Sequence, residues 1–384
     1  MKEVFSYEKL YKAYLDCRKN KRNTESALEF EWNLEENLYA LYKEISSKTY
    51  RPGKSICFVC KEPTAREIFA AEFRDRVVHH LLVREVEKYG EKVFTYDSYS
   101  CRTGKGTHKA VERLKNFSKK ITDNYSKKAY FLQMDISGFF MNIHQDVLYN
   151  VFKKLVIRQE KDHKWKRDLL WLGRKIIYYK PTENYIKKGD PKLFKLIPAR
   201  KSLFKSGEKR GLPIGNYSSQ FFSNLYLNQL DQFVKRELNH DYYVRYVDDF
   251  LILGESSGNL KETERRVKKF LEKYLKVEIN GSKTKLKRLK GGVDFLGYFL
   301  KPNYILVRKR VVKALKGKLY EFRRSPDLDP KEVMATVNSY FGHFRHANSY
   351  NLRKDIYENH LGKLKYYFMA ADKNFSSLTL KQDN

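Results

Sequence analysis

Two adjacent carboxylates between two short apolar runs constrain this chain more than any other feature. The segment Tyr246–Asp249 reads YVDD, with Tyr242–Val244 before it and Phe250–Leu253 after it. Both runs are rich in β-branched and aromatic residues, and the connection is too short to hold a helix, so they predict an antiparallel hairpin. Asp248 and Asp249 then project from its tip. Their mutual repulsion is tolerable in solvent, and a divalent cation would neutralise it.

A third acid ends another apolar run upstream. Phe131–Met134 predicts a strand, Asp135 follows it, and a Ser-Gly turn comes next. Three carboxylates on neighbouring strand ends are able to hold two metal ions, and Mg²⁺ prefers carboxylate oxygens supplemented by water and substrate phosphates. In two-metal phosphoryl transfer, one ion activates the attacking hydroxyl and both stabilise the transition state. The sequence therefore predicts a site for two Mg²⁺ ions at Asp135, Asp248 and Asp249.

These acids belong to blocks that resemble reverse transcriptases. Asp135–Phe140 resembles the first catalytic motif of that family, and Tyr246–Asp249 resembles its YxDD box. Val293–Tyr298 resembles the primer-grip hairpin, with the FLGY core at Phe295, Leu296, Gly297 and Tyr298.

A further block narrows the resemblance within the family. Gly211–Gln220 has Ile214 and ends in Ser219-Gln220, where most lineages carry Gln and Ser-Pro. This variant is similar to the reverse transcriptases of diversity-generating retroelements, and Phe73–His80 and Cys101–His108 resemble further blocks of that group. The resemblance spans roughly residues 7–353.

The resemblance implies an α+β fold of the right-hand polymerase type, with fingers, palm and thumb and an antiparallel palm sheet. We expect an N-terminal extension and fingers over residues 1–125, a palm over 126–300 with a fingers insertion near 150–210, and a thumb and tail over 301–384. The implied function is an RNA-directed DNA polymerase that makes cDNA from a dedicated RNA template. Members of the resembling group misincorporate opposite template adenines.

The resemblance also implies roles for individual side chains, each with a structural alternative. Phe140 corresponds to the steric gate that excludes a ribose 2′-hydroxyl, although it is equally a residue type found in cores. Ile214 offers only shape where a Gln would hydrogen bond, which is expected to weaken discrimination between nucleotides; the alternative is a neutral core substitution. The remaining implied nucleotide-site residues are Arg66 and Lys61 for the triphosphate, Gly215 for close backbone approach, and Lys283 as a proton donor to pyrophosphate. Gln220 belongs to the same motif, where capping or orienting the following helix is favoured over direct contact with the substrate.

The charge of the chain agrees with a polyanionic partner. It has 78 Lys plus Arg against 46 Asp plus Glu, a formal net charge of +32. So large an excess favours nucleic-acid binding over a merely solvated basic surface. The expected partners are template RNA, nascent cDNA and dNTPs, and the resemblance adds a small basic oligomeric accessory protein.

Cysteine content and hydropathy bear on location. The chain has four cysteines, and Cys57 and Cys60 form a single CxxC pair, which is either a partial zinc site or a pair of reduced thiols. There is no apolar run of the ~18 residues that a membrane span needs. We expect a cytoplasmic protein, bacterial or phage-encoded, with no membrane partner.

Hydrophobic periodicity predicts the main elements. Tyr7–Lys48 and Ser219–Glu237 each read as helical, and the strands Ile56–Val59 and Arg66–Phe69 predict a hairpin. Residues 149–210 predict an irregular insertion among helices, residues 311–323 and 332–346 predict thumb helices, and the C-terminal tail is expected to fray.

Two alternatives to the diversity-generating assignment stay open. One is a retron, group II-like or antiphage-defence reverse transcriptase with another dedicated RNA. The other is an RNA-binding scaffold without polymerase activity, which has no need for three converging acids.

Overall fold

The structure, a computed structural model, describes residues 4–19, 24–61 and 64–381. The chain divides into two compact units, each built from separated segments. The first comprises residues 1–105, 132–252 and 258–285, and the second comprises residues 106–131, 253–257 and 286–384. The fingers, palm and thumb boundaries near residues 125 and 300 stay a prediction.

The N-terminal part of the chain is mainly helical. Its elements are α1 (Tyr7–Arg18), α2 (Glu25–Trp32), α3 (Leu34–Ser46), β1 (Ser55–Cys60), β2 (Arg66–Ala71), α4 (Phe73–Val93) and α5 (Thr107–Ile121). The helical character predicted over Tyr7–Lys48 is confirmed, as three helices; Asn33 (φ −121°, ψ 55°) leaves helical geometry between α2 and α3, and residues 20–23 lie outside the described residues. The predicted hairpin is confirmed, with Cys57 of β1 opposite Phe69 of β2.

The middle of the chain alternates helices with short strands. Its elements are β3 (Tyr130–Asp135), α6 (Phe139–Asn142), α7 (Gln145–Ile157), α8 (His163–Ile177), β4 (Tyr185–Lys187), α9 (Pro191–Phe194), α10 (Tyr217–Gln232), β5 (Tyr243–Tyr246), β6 (Asp249–Gly254), α11 (Ser257–Phe270) and β7 (Lys285–Arg288).

The Lys-rich insertion is more regular than its composition predicts. Two long helices occupy its first part, and α8 is capped by Asp162, whose carboxylate accepts a hydrogen bond from the Trp165 backbone at 2.7 Å. Strand β4 pairs parallel to β1 and extends the hairpin to three strands in the order β2-β1-β4. Only the part after α8, where the prolines and glycine lie, is mostly irregular.

The central sheet of the first unit places β6 between β5 and β3. Strands β5 and β6 are antiparallel, with Tyr246 opposite Asp249, as the sequence predicts. Helix α10 packs against α4 and α7 and is buried on most of its faces rather than on one stripe. A π-helical turn over Phe233–Glu237 continues it, so the α-helix ends earlier than predicted.

The second unit has its own core. Its C-terminal elements are β8 (Val293–Phe295), β9 (Tyr298–Leu300), β10 (Ile305–Val307), α12 (Lys309–Arg324), α13 (Pro330–Phe344), α14 (Tyr350–Asp355), β11 (Phe368–Ala370) and β12 (Leu378–Leu380). Helices α12 and α13 confirm the two helices predicted there, and they bury Leu315, Leu319, Val337 and Phe341.

The tail does not fray over its described part. Strands β11 and β12 form an antiparallel hairpin, and Leu378 is buried in the core of the second unit. The side chain of Asn338 on α13 donates to the Leu378 carbonyl at 2.9 Å and accepts from its amide at 2.6 Å. This pair of hydrogen bonds holds the C-terminal hairpin to α13. Residues 382–384 lie outside the described residues.

Candidate active site

A two-residue loop presents the paired acids. Val247 and Asp248 connect β5 to β6, and Asp249 is the first residue of β6. Val247 has φ 53°, a left-handed conformation that a β-branched residue adopts only under strain. The predicted position of the acids at a hairpin tip is confirmed.

Asp135 ends β3, the strand next to β6. The Ile136 amide donates to the Asp248 carbonyl at 3.2 Å, so the backbone after Asp135 is joined directly to the hairpin loop. The Asn280 amide donates to the Asp135 carbonyl at 2.7 Å. Asp135 is therefore fixed on both sides by backbone hydrogen bonds.

The carboxylates of the site influence one another electrostatically. Burial, followed by the charge of Asp135, raises the pKa of Asp248 to about 6. Burial raises the pKa of Asp249 to about 7, with further increases from Asp248 and Asp135, while a hydrogen bond from Gln133 opposes the change. The Gln133 Nε2 donates to Asp249 Oδ1 at 3.1 Å. Three acids converge here, and each additional negative charge carries a free-energy cost.

Cationic side chains surround the acids. Lys283 Nζ lies 2.7 Å from Asp135 Oδ2. Arg66, exposed at the start of β2, lowers the pKa of Asp248 through its charge. Lys201 has a lowered pKa, caused first by burial and then by the charges of Arg66 and Lys283. The structure thus brings Arg66 and Lys283 to the acids.

Sequence reasoning missed Lys201, Gln133 and Asn280. The charges of Arg66 and Lys283 both act on Lys201. The Lys201 Nζ contacts the Thr64 hydroxyl at 3.4 Å. It belongs to the insertion, whose many lysines gave no signal that distinguishes one of them. By contrast, Lys61 is exposed directly after β1, and no contact joins it to the acids among the described residues.

Phe140 and Ile214 lie in one apolar cluster. Both pack, partly exposed, against buried side chains of Cys57, Phe69 and Leu203. The Phe69 amide donates to the Ile214 carbonyl at 2.8 Å, which attaches this segment to β2. The structure therefore places the two residues together beside the β1–β2 hairpin.

Gly215 makes a close approach to β2. Its φ is 124°, and a Cβ there would lie 2.9 Å from Ile68 Cγ2 and 3.2 Å from the Phe69 carbonyl oxygen. The glycine is thus needed by the protein's own packing. Gln220 is exposed in the first turn of α10, whose N-cap residue is Asn216, so Gln220 does not cap this helix; its role in orienting the helix stays a prediction.

The FLGY segment belongs to the second unit. Phe295 pairs with Tyr298 across a two-residue loop in which Leu296 (φ 50°) and Gly297 (φ 90°) are both left-handed, as in a type I′ turn. The Tyr298 hydroxyl donates to the His343 carbonyl at 2.8 Å. The predicted hairpin is confirmed, while its role as a primer grip stays a prediction.

The Cys57 and Cys60 pair is not part of a zinc site in the described part of the chain. Cys57 is buried and Cys60 is exposed, and His79 is buried with its Nδ1 2.5 Å from the Ser218 hydroxyl. Over residues 4–19, 24–61 and 64–381, no group of three or more His, Cys, Asp or Glu side chains is arranged to hold a metal ion.

The acid site suits a divalent cation in its chemistry but not in the present arrangement of its side chains. Its donor chemistry fits Mg²⁺, because carboxylate oxygens project from neighbouring strand ends, and burial followed by the charge of neighbouring acids raises the pKa of two of these carboxyl groups. The side chains are not arranged as a ligand group, since Lys283 holds Asp135 and Gln133 holds Asp249.

In the part of the chain that the structure describes, no helix combines the length and apolar character that crossing a bilayer requires.

Parts of several known proteins are similar to this chain. The chain is 24% identical to Protein YkfC of Escherichia coli over 71% of its own length and 72% of the relative's. It is 27% identical to the Arabidopsis thaliana nuclear intron maturase 1, mitochondrial, over 35% of this chain and 17% of that protein. It is 26% identical to the putative COX1/OXI3 intron 2 protein of Saccharomyces cerevisiae over 59% of this chain and 29% of that protein.

Among solved structures, telomerase from Candida albicans shows a TM-score of 0.49 at 14% identity, covering 86% of this chain and 64% of that chain. The chain thus spans less than two thirds of that structure and of two of the three curated relatives. Residues 60–300 match the family described as reverse transcriptase (RNA-dependent DNA polymerase). The α+β right-hand polymerase fold class is confirmed with this match. The chain belongs to the reverse transcriptase family.

Proposed function

We propose that this protein synthesises cDNA from a dedicated RNA template, extending a primer 3′-hydroxyl with dNTPs. The observation that carries the proposal is the convergence of Asp135, Asp248 and Asp249 at neighbouring strand ends, where burial and mutual repulsion raise two of the three pKa values. A structural role gives no reason to concentrate negative charge in this way. An RNA-binding scaffold without catalysis is therefore the weaker alternative.

Asp135, Asp248 and Asp249 would hold two Mg²⁺ ions, which when bound supply charge stabilisation to phosphoryl transfer. Lys283 contacts Asp135 at 2.7 Å and is partly solvated, so it is able to turn toward a phosphate. In this position Lys283 would donate a proton to the leaving pyrophosphate. Its competing role is that of a counter-ion that neutralises Asp135.

Arg66 would bind the triphosphate of the incoming dNTP. Its guanidinium fork suits phosphate oxygens, and its charge acts on both Asp248 and Lys201. Lys201 shares this cationic region and would contribute a second contact. Lys61 is exposed directly after β1. It would assist in binding the triphosphate only when a nucleotide is present.

Phe140, Ile214 and Gly215 would shape the pocket for the nucleotide, with Gln220 at its edge. Phe140 and Ile214 are partly exposed in the same apolar cluster, so each has a face available to a ligand. Phe140 would exclude a ribose 2′-hydroxyl by its volume. Ile214 offers no hydrogen bond, so selection at this wall depends on shape alone.

We place the protein among the diversity-generating reverse transcriptases, where errors concentrate at template adenines. Support comes from Ile214 and from Ser219-Gln220 in the motif that precedes α10. Partners of this proposal are template RNA, nascent cDNA and a basic oligomeric accessory protein that RNA would bridge to this chain. The cytoplasmic setting, and bacterial or phage origin, belong to the same proposal.

The second candidate function is that of an intron-type reverse transcriptase. Its support is the similarity to two proteins whose names refer to introns, a maturase of Arabidopsis thaliana and an intron 2 protein of yeast. Gene neighbourhood separates the candidates, because a template repeat paired with an adenine-differing variable repeat marks a diversity generator.

Copying of the native RNA tests the subtype. The parent enzyme and Ile214→Gln each copy one mixed template that includes the native RNA, with the accessory protein supplied. The cDNA products of the two enzymes are then sequenced. The parent is expected to err mainly at adenines, and Ile214→Gln is expected to lower that error about tenfold, which is about 1.4 kcal/mol of added discrimination. Accurate copying of adenines by the parent would refute the diversity-generating assignment while leaving the polymerase assignment intact.

A further inference from the structure

A fully buried arginine lies three residues before Asp248. Arg245 of β5 has 0% exposure, as does its partner Asp231 on α10. The Arg245 Nε donates to Asp231 Oδ1 at 2.6 Å and its Nη2 donates to Oδ2 at 2.6 Å. A buried charge of this kind must be paired, and the pairing here is bidentate.

The other contacts of the guanidinium reach beyond the ion pair. Its Nη1 donates to the Val247 carbonyl at 3.1 Å and lies 3.4 Å from the Asn224 side-chain oxygen. Its Nη2 donates to the Ser98 hydroxyl at 2.9 Å. Arg245 therefore connects α10 to the hairpin loop that carries Asp248.

Arg245 contacts the residue of the hairpin loop whose backbone conformation is strained. Val247 has φ 53°, and its carbonyl is the acceptor for Arg245. That carbonyl belongs to the peptide that joins Val247 to Asp248. Fixing its direction fixes the direction in which Asp248 leaves the loop, and the strain at Val247 persists only where surrounding contacts enforce it.

We infer that Arg245 is a positioning residue: braced by Asp231, it holds Val247 in the left-handed conformation and so orients Asp248 for catalysis. The inference rests on the proposed polymerase function. A purely structural ion pair would need the contact to Asp231 alone and would have no use for the bond to Val247. Substitution by Lys separates the two roles, because an ammonium is able to pair with Asp231 but has no planar fork to reach Val247 as well.

The test is a double-mutant cycle between Arg245→Lys and Val247→Gly. Glycine adopts φ near +53° without a steric penalty, so the loop then needs no external brace. We expect Arg245→Lys to lower kcat for primer extension about 30-fold or more, with the KM for dNTP and the Kd for primer–template within about threefold of the parent. In the Val247→Gly background, the same substitution is expected to cost at least about tenfold less.

A matched control exists in the same unit. Arg18 makes a comparable bidentate pair with Glu31, at 2.5 and 3.2 Å, and Tyr14 also donates to that carboxylate at 2.9 Å. Arg18→Lys should lower Tm without lowering kcat at a temperature where the enzyme is folded. Asp231→Asn provides a second route to weakening the brace if Arg245→Lys does not fold.

Three results would overturn the inference. The first is a kcat for Arg245→Lys equal to that of the parent. The second is an equal loss of kcat on Arg245→Lys substitution in the parent and in the Val247→Gly background. The third is failure of both Arg245→Lys and Asp231→Asn to fold, which would assign the pair to stability alone. If the parent itself extends no primer, the proposed function fails first. An active parent combined with any of the three results refutes only the positioning role.

Discussion

At the residue scale, the raised pKa values of Asp248 and Asp249 predict how stability depends on pH. The values of about 6 and about 7 lie above the ordinary value of 3.8. Between about pH 4 and pH 7 the folded protein therefore binds more protons than the unfolded chain, so the free energy of unfolding falls as pH rises. The loss across this window is expected to be on the order of a few kcal/mol in the absence of divalent ions.

Thermal unfolding in EDTA between pH 5 and pH 8 measures this dependence. Asp248→Asn and Asp249→Asn should each flatten the fall in Tm, because an amide does not titrate. Asp327→Asn, at an exposed position, is the control and should leave the slope as it is. A parent protein whose Tm rises with pH over this range would contradict the account of the site.

The proposed selection of the sugar also depends on a single residue. Phe140→Ala should admit ribonucleotides, raising their use relative to dNTPs about tenfold or more, while dNTP incorporation stays largely intact, because in the proposed role the ring would exclude the 2′-hydroxyl by volume. Extension with rNTPs and with dNTPs measures the ratio. Phe204→Ala, which removes another ring packed on Phe69, is the control; an unchanged preference in Phe140→Ala would remove Phe140 from the gate.

At the element scale, the attachment of the segment before α10 to the β1–β2 hairpin is the contact most sensitive to volume. Gly215→Ala places a methyl group 2.9 Å from Ile68 Cγ2 at φ 124°, so the hairpin must shift or the backbone must relax. We expect a loss of about 1–3 kcal/mol in the free energy of unfolding and a higher KM for dNTP.

Urea denaturation and steady-state kinetics test this prediction together. Gly189→Ala is the control, because Gly189 also has a positive φ (92°) but no atom lies within 4 Å of the added methyl. It reports backbone strain without steric contact. Equal effects of the two substitutions on KM would show that packing of Gly215 against β2 does not shape the nucleotide pocket.

Elements built from local sequence were the predictable ones. The YVDD hairpin, the β1–β2 hairpin and α12 and α13 follow from apolar periodicity and short connections. The pairing of β4 with β1 joins segments about 130 residues apart. The C-terminal hairpin of β11 and β12 is held by hydrogen bonds with Asn338 on α13. Neither leaves a local pattern, because each is stabilised by contacts distant in sequence.

The candidate site was predictable to the extent that it lies in compact motifs. Asp135 ends a recognisable strand, Asp249 begins another and Asp248 lies in the short loop directly before it, so their meeting at one sheet edge could be foreseen. Lys201 could not be foreseen, since its place beside Arg66 depends on how the insertion folds back. Gln220 was expected to cap or orient α10, but the N-cap residue of that helix is Asn216.

At the scale of the whole molecule, the net charge of +32 dominates encounters with nucleic acid. Each phosphate that a cation neutralises releases counterions, so affinity for RNA should fall steeply with salt. If about six to ten phosphates are contacted, the Kd rises about 10³- to 10⁵-fold between 50 and 200 mM salt. Fluorescence anisotropy with a labelled RNA measures the slope, and a Kd unchanged over this range would contradict an electrostatic mode of binding.

The most direct measurement of the central claim is primer extension on an RNA template with dNTPs at increasing Mg²⁺ concentration, for the parent, Asp135→Asn and Asp248→Asn. Asp190→Asn, at an exposed position in the insertion, is the control. The account predicts that the parent and the control extend the primer only when Mg²⁺ is present, and that the two site variants lose several orders of magnitude in rate while binding RNA as the parent does. Extension by Asp248→Asn at the rate of the parent would contradict the assignment of these carboxylates to catalysis.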